Sequence, residues 1–439
     1  MKITRFSIAP LLILTSLAQN AAGQNQVAIQ GGRIIPIVGK VIAKGTIVIK
    51  DGKIVAIGKD VKAPVNAKVI DATGKVVMPG FVDIHNSSAL TQSNETNKNV
   101  PYVSVMDGID PNRTYFDEAR RNGVTSVAVV PGNATMFGGQ AAVVKTAGAF
   151  VEQMVLKRTA GMKISLRPAG RGSRMSHYAN IRRELETARA MLRRRVPSRS
   201  KKSSGKKSAK KSVKKSSKKQ TGGKKKSTGR RRITRSSSPK VLALLKLVRR
   251  EMPAFIYCET AMDVVQATRL TTQFRLKTIL VLGNDTYRAA ELIAKSRLPV
   301  ILSPTLVFWK TNNRTGIDQN IVLPQVFRRY KIPVTFQVSS PSRTSLGSSY
   351  LWFQAATAVK YGMPVDEALR AITLQPAKIL GVSSLVGSLQ VKKDGDLVIL
   401  SGDPLKLDTW VEKTIINGKV VYDRSKDRKI KQLLPASKK

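Results

Sequence analysis

The sequence holds two histidines, His85 and His177, and one cysteine, Cys258, in 439 residues. A single thiol excludes an intramolecular disulfide, so stability rests on the core. A lone cysteine reads as a small buried apolar residue rather than a nucleophile. Two histidines leave little for a catalytic zinc, which takes three protein ligands and keeps a fourth position open for water. Acids are scarce too: 27 Asp and Glu stand against 77 Lys and Arg, a formal net charge of +50. No stretch approaches the roughly 20 apolar residues of a membrane span. Hydrophobic residues still make up 42 % of the chain, which excludes disorder as its general state.

Two segments stand apart from the rest. Lys2 and Arg5 precede an apolar stretch from Ala9 to Leu17, and Ala21-Ala22-Gly23 supplies the small residues of a cleavage site. We expect residues 1–23 to be a signal peptide, Gln24 to be the first mature residue, and the chain to be exported to the periplasm or exterior of a bacterium. The second segment, residues 193–240, carries 22 Lys and Arg in 48 positions with no acid and no aromatic residue. Such a stretch buries too little surface to offset its ordering entropy and is expected to be a disordered insert. Its cations (Lys201, Lys202, Lys206, Lys207, Lys210, Lys211, Lys214, Lys215, Lys218, Lys219, Lys224, Lys225, Lys226, Arg230, Arg231 and Arg232) are the candidate polyanion-binding residues. Without aromatics for base stacking, sequence-specific nucleic acid is not expected, and the natural partner is an anionic polymer or membrane surface. A solvated linker with no dedicated partner is the competing reading. The oligomeric state is not legible.

The remaining pattern has two textures. Asp51-Gly52 and Asn417-Gly418, each flanked by alternating apolar residues, are hairpin signals, because both positions of a type I′ turn need positive φ. These strand-rich ends, 24–79 and 383–426, are expected to form one composite β domain, followed by a basic tail at 427–439. Between them, residues 80–382 alternate buried strand-like runs such as Val124–Pro131, Ala254–Glu259, Thr278–Gly283 and Pro299–Pro304 with amphipathic helical runs. Without the insert this segment has about the length of a (β/α)₈ barrel, roughly 250 residues. The expected fold is therefore α/β: a (β/α)₈ TIM-type barrel plus a small β-sandwich domain built from both chain ends.

"VIDATGKVVMPGFVDIHNSSAL" (Val69 to Leu90) brings a strand through Pro-Gly into Asp-Ile-His. This resembles the opening of the metal-dependent amidohydrolases, where two histidines spaced by two share one face of the first barrel strand. "NGVTSVAVVPGNATMFGGQAAVVKTAG" (Asn122 to Gly148) and "YGMPVDEALRAITLQPAKILGVSSLVGSLQVKKDGDLVILSGDP" (Tyr361 to Pro404) are similar to later blocks of the imidazolonepropionase-like branch. The resemblance runs along nearly the whole mature chain. It implies zinc or another divalent metal at the C-terminal ends of the barrel strands, hydrolysing cyclic, non-peptide C–N bonds.

Carried over position by position, the resemblance implies a site that has lost its ligands. His85 keeps the first histidine place, and Ser87 stands at the second. Tyr257 and Glu259 stand where another strand would carry histidine, and Leu282 where the next would. Ser339 stands at the place of the catalytic aspartate, and an acid expected near Pro168 is missing. His85 and Glu259 are weak metal candidates, with Cys258 facing away from Glu259 because strand side chains alternate. Asp83 reads as a structural acid, and His177, set among arginines, as a surface histidine. We therefore expect a catalytically degenerate homologue that needs no cofactor, with no assigned catalytic residue. The alternative is an active hydrolase using an altered metal site, and an intracellular nucleic-acid binder with a false signal is a third reading.

Overall fold

The structure is a computed structural model that describes residues 26–168, 172–194, 238–312, 314–338 and 349–433. The expected signal peptide, Ser339 and every named polyanion-binding residue lie outside the described residues.

The chain opens with β1 (Gln26–Ile34), β2 (Ile42–Lys50), β3 (Lys53–Gly58), β4 (Lys68–Asp71) and β5 (Val76–Pro79). The β2–β3 turn has Asp51 at φ 49° and Gly52 at φ 79°, the two left-handed residues that Asp-Gly supplies at little strain. The barrel strands follow: β6 (Phe81–Asn86), β7 (Val124–Val129), β8 (Phe137–Lys145), β9 (Val155–Ser165), β10 (Ala254–Thr260), β11 (Thr278–Asp285) and β12 (Val300–Ile301). A separate hairpin of β13 (Val307–Thr311) and β14 (Asp318–Val322) precedes the last barrel strand, β15 (Val334–Thr335). The chain then returns to the first sheet as β16 (Leu397–Leu400), β17 (Val411–Ile416) and β18 (Lys419–Asp423).

Both chain ends thus enter one eight-stranded sheet, ordered β18-β17-β16-β5-β1-β2-β3 with β4 beside β1. It closes over its own core of Ile29, Ile47, Ile49, Val77 and Leu397. The second sheet runs β6-β7-β8-β9-β10-β11-β12-β15, and its two edges meet where the Val338 backbone N–H donates to Asp83 and Gln337 bonds His85. This is the expected barrel, with one departure. β8 runs antiparallel to both β7 and β9, so the chain comes straight back down beside β7 instead of crossing over through a helix.

Alternation along the strands sorts side chains into two layers. Val82, Ile84, Phe255, Ile279 and Val281 pack in the interior cluster, while Ile256, Cys258, Leu280 and Leu282 pack in the outer cluster against the helices. Cys258 is fully buried there, on the opposite face from Tyr257 and Glu259. His177 departs from its expectation. It sits in the first turns of the helix Arg174–Arg194, buried, with Nε2 2.9 Å from the backbone oxygen of Ser165 at the end of β9. The surrounding arginines suggested solvent, but a strand-end carbonyl supplies a partner that local sequence does not reveal.

Candidate functional site

A cavity of about 1150 Å³ opens at the C-terminal ends of the barrel strands. His85, Ser87, Tyr257, Glu259 and Leu282 all line it, and so does Val338, immediately before Ser339. A parallel barrel brings its strand ends together in this way, and the loops that follow them form the walls.

Behind His85, outside the cavity lining, lies a residue that reading the sequence did not single out. Lys163, on the inward face of β9, is fully buried, with its Nζ 2.7 Å from His85 Nε2. Its ammonium also lies 5.4 Å from the centre of the Tyr257 ring, close enough for a cation–π attraction. Among the described residues it has no carboxylate partner. Burial therefore pushes the amine down to about 7, and burial together with the Lys163 charge pushes His85 well below its ordinary value. Two neutral-leaning bases share one short hydrogen bond. A charged residue at an inward position of an otherwise apolar run (GMKIS, Gly161 to Ser165) was the available signal.

Beside this pair, Asp83 is also fully buried. It accepts hydrogen bonds from Asn86 Nδ2 at 2.8 Å and the Tyr115 hydroxyl at 3.2 Å. Burial with no cation beside it raises its carboxyl to about 7, against the pull of these donors. Tyr115 rises well above its ordinary range, through burial first and the Asp83 charge second. Asp83 is thus a hydrogen-bonded structural acid that ties β6 to the helix Thr114–Arg121 and to Val338.

These residues do not fit a catalytic divalent ion. His85 Nε2 is already bonded to Lys163, and a lysine ammonium there repels a cation. Glu259 is held by Arg167 at 3.3 Å and Arg174 at 3.7 Å. The backbone N–H groups of Glu259 and Thr260 donate to Asp263 Oδ2 at 3.0 and 2.9 Å, which fixes the end of β10. Leu282 sends its side chain to the outer cluster, and Gly283 takes the inward place on β11. A Cβ at Gly283 would stand 2.8 Å from the Glu259 carbonyl oxygen, so no side chain enters there without moving β10. Among the described residues, no group of three His, Cys, Asp or Glu is arranged to hold a metal.

Comparison with known proteins finds similar chains. The Amidohydrolase family matches residues 342–421. The protein named Amidohydrolase tasK from Hapsidospora irregularis is 21 % identical over 402 residues, which cover 86 % of this chain and 40 % of that relative. An imidazolonepropionase from Porphyromonas gingivalis is 35 % identical over 92 residues, 20 % of this chain and 22 % of that relative. This chain therefore spans well under half the length of these curated relatives. The crystal structure of an amidohydrolase from Thermotoga maritima MSB8 superposes with a TM-score of 0.74 at 24 % identity, covering 91 % of this chain and all of that one. That likeness concerns the fold. The family match falls on the segment that leads from the last barrel helices back into the composite sheet. Like the Pro-Gly strand ending in Asp-Ile-His, this segment is similar to the amidohydrolases.

Proposed function

We propose that this chain is a catalytically degenerate amidohydrolase homologue, exported from a bacterial cell, which binds ligands in its strand-end cavity without a metal. The observation that carries this reading is the 2.7 Å contact between Lys163 and His85, which engages the one histidine at the site with an amine. Elemental analysis of the purified mature protein, after zinc or manganese is offered, is expected to find far less than one ion per chain. One ion per chain that is lost in His85→Ala would overturn the reading. It would favour instead a hydrolase of cyclic C–N bonds with an altered site, for which the shared cavity wall of His85 and Glu259 is the supporting geometry.

The reading extends to residues 193–240 as the contact with anionic polymers or membrane surfaces. Their 22 cations would release counterions on binding, so affinity for long-chain polyphosphate or phosphatidylglycerol vesicles should fall steeply with salt. Full-length protein is expected to lose at least roughly tenfold in affinity between 50 and 200 mM salt, and a variant lacking 195–237 is expected to lose most of its binding. Unchanged binding by that variant would reject the role. Among the described residues, no helix is long and apolar enough to cross a membrane.

A further inference from the structure

We infer that the strand-end cavity is a site for an uncharged, hydroxyl-rich ligand of the saccharide class. The inference deepens the metal-free binding reading above and rests on it.

Charge comes first. The cavity lining includes Arg113, Glu259, Asp285 and Lys310, two of each sign, with His85 neutral. Lys310 is paired with Asp285 on its own wall, and Glu259 faces Arg167 and Arg174. Arg113 lies at the exposed rim. Among the described residues, the lining therefore offers no concentrated, unpaired charge to hold an anion or a cation.

What it offers is amide and hydroxyl groups. The loop after β6 reads Asn-Ser-Ser-Ala-Leu-Thr-Gln-Ser-Asn from Asn86 to Asn94, and most of it lines the cavity. Asn133, Asn284 and Ser303 face it from other strand ends. Several of these groups still have capacity to spare. The side chains of Ser87 and Gln92 carry no hydrogen bond among the described residues, Asn133 Oδ1 is buried without a partner, and Asn284 uses only its oxygen, on Ser303. An amide presents a donor and an acceptor side by side, which matches two vicinal hydroxyls, each able to give and take one hydrogen bond. A buried polar atom without a partner is a cost that a ligand hydroxyl relieves.

The third feature is aromatic. The β13–β14 hairpin is not part of the barrel, and its strand β13 borders the same cavity at Phe308 and Trp309, whose side chains lie on opposite faces of the strand. Trp309 is 71 % exposed, while Phe308 is braced edge-on by Tyr287 at 6.3 Å between ring centroids. An exposed indole beside a polar cavity is a flat apolar platform of the kind that the C–H face of a sugar ring covers. Small-molecule sites combine such surfaces with a few placed polar groups.

The test uses the full mature chain, treated with a chelator, its metal content measured on the same sample. Maltose, cellobiose and N,N′-diacetylchitobiose are titrated by calorimetry and by tryptophan fluorescence, with inorganic phosphate and acetate in parallel. The expected result is at least one disaccharide with Kd below about 10 mM and a weakening of about tenfold in Trp309→Ala. That variant is at an exposed hairpin position, so its fold should be intact by circular dichroism. Asn284→Leu, inside the cavity, should weaken binding as well. Silence from all three sugars, binding of phosphate or acetate instead, or full affinity in Trp309→Ala would each overturn the inference. Sugar binding that appears only when zinc is added would keep the saccharide site and reject the metal-free reading. A metal-free protein that binds no sugar would do the reverse.

Discussion

Lys145→Met is expected to destabilise the fold by about 3–5 kcal/mol, the largest loss from any single substitution considered. Lys145 ends β8 at the barrel face opposite the cavity, with its side chain 5 % exposed. Its Nζ lies 2.6 Å from Asp394 Oδ2 and 2.9 Å from Asp396 Oδ1, and it also donates to Asn417. Asp394 and Asp396 stand just before β16, and Asn417 is in the β17–β18 turn. One ammonium therefore joins the barrel to the sheet that both chain ends build. Lys53, from the other hairpin, reaches Asp394 as well. Removing Lys145 leaves Asp396 buried with no side-chain cation, and burial already raises its carboxyl. A raised folded-state value means that the folded form takes up a proton before the unfolded form does. The loss should therefore be largest above neutral pH and should shrink as pH falls toward the ordinary carboxylate range. Urea unfolding at pH 8 and pH 5 measures both points. The triple change Lys145→Met, Asp394→Asn, Asp396→Asn should recover much of the stability, because it removes the stranded charges along with their partner. A loss of under 1 kcal/mol, or one independent of pH, would show that the cluster does not hold the two parts together.

Much of this architecture is legible in the sequence because its signals are local. Asp51-Gly52 and Asn417-Gly418 mark turns, and the structure gives both pairs positive φ. Strand–helix alternation marks the barrel. The direction of β8 is not legible: "FGGQAAVVK" reads as a buried strand whichever way it runs, and only the pairing with β7 and β9 decides. At the site, the strand-end pattern picks out positions that line one cavity, since a parallel barrel gathers its C-terminal ends. What those residues touch is another matter. The partners of Glu259 come from the connection after β9, and the partner of His85 is 78 positions away in sequence. A lysine inside an apolar strand invites reading as the solvent face, and nothing near it in sequence says that the solvent face is the barrel axis.

Lys163→Met is expected to stabilise the protein at and below neutral pH, and to do so by less as pH rises toward 10. Burial holds the Lys163 amine at about 7, against an ordinary 10.5. Between these values the unfolded chain keeps a proton that the folded chain has released, so native stability rises with pH across that window. Below about 7 the folded protein must bury a charge that no carboxylate balances. At roughly 1.4 kcal/mol per unit, that penalty is on the order of a few kcal/mol. Methionine has a similar length and no charge, so it removes the penalty and the rising arm together. Asp83 acts in the adjoining window. Its carboxyl at about 7 lies above the ordinary 3.8, so the folded state holds a proton that the unfolded state has lost, and stability falls as pH climbs between the two. His85, held well below its ordinary value, opposes that fall over the same acid range, so the clear signature is above neutral pH, where the wild type should gain stability and Lys163→Met should lack the gain. Thermal melts at pH 6 and pH 10 make the comparison. An equal gain at both would mean that packing, not charge, sets the effect, and a loss at pH 6 would mean that the bond to His85 outweighs the buried charge.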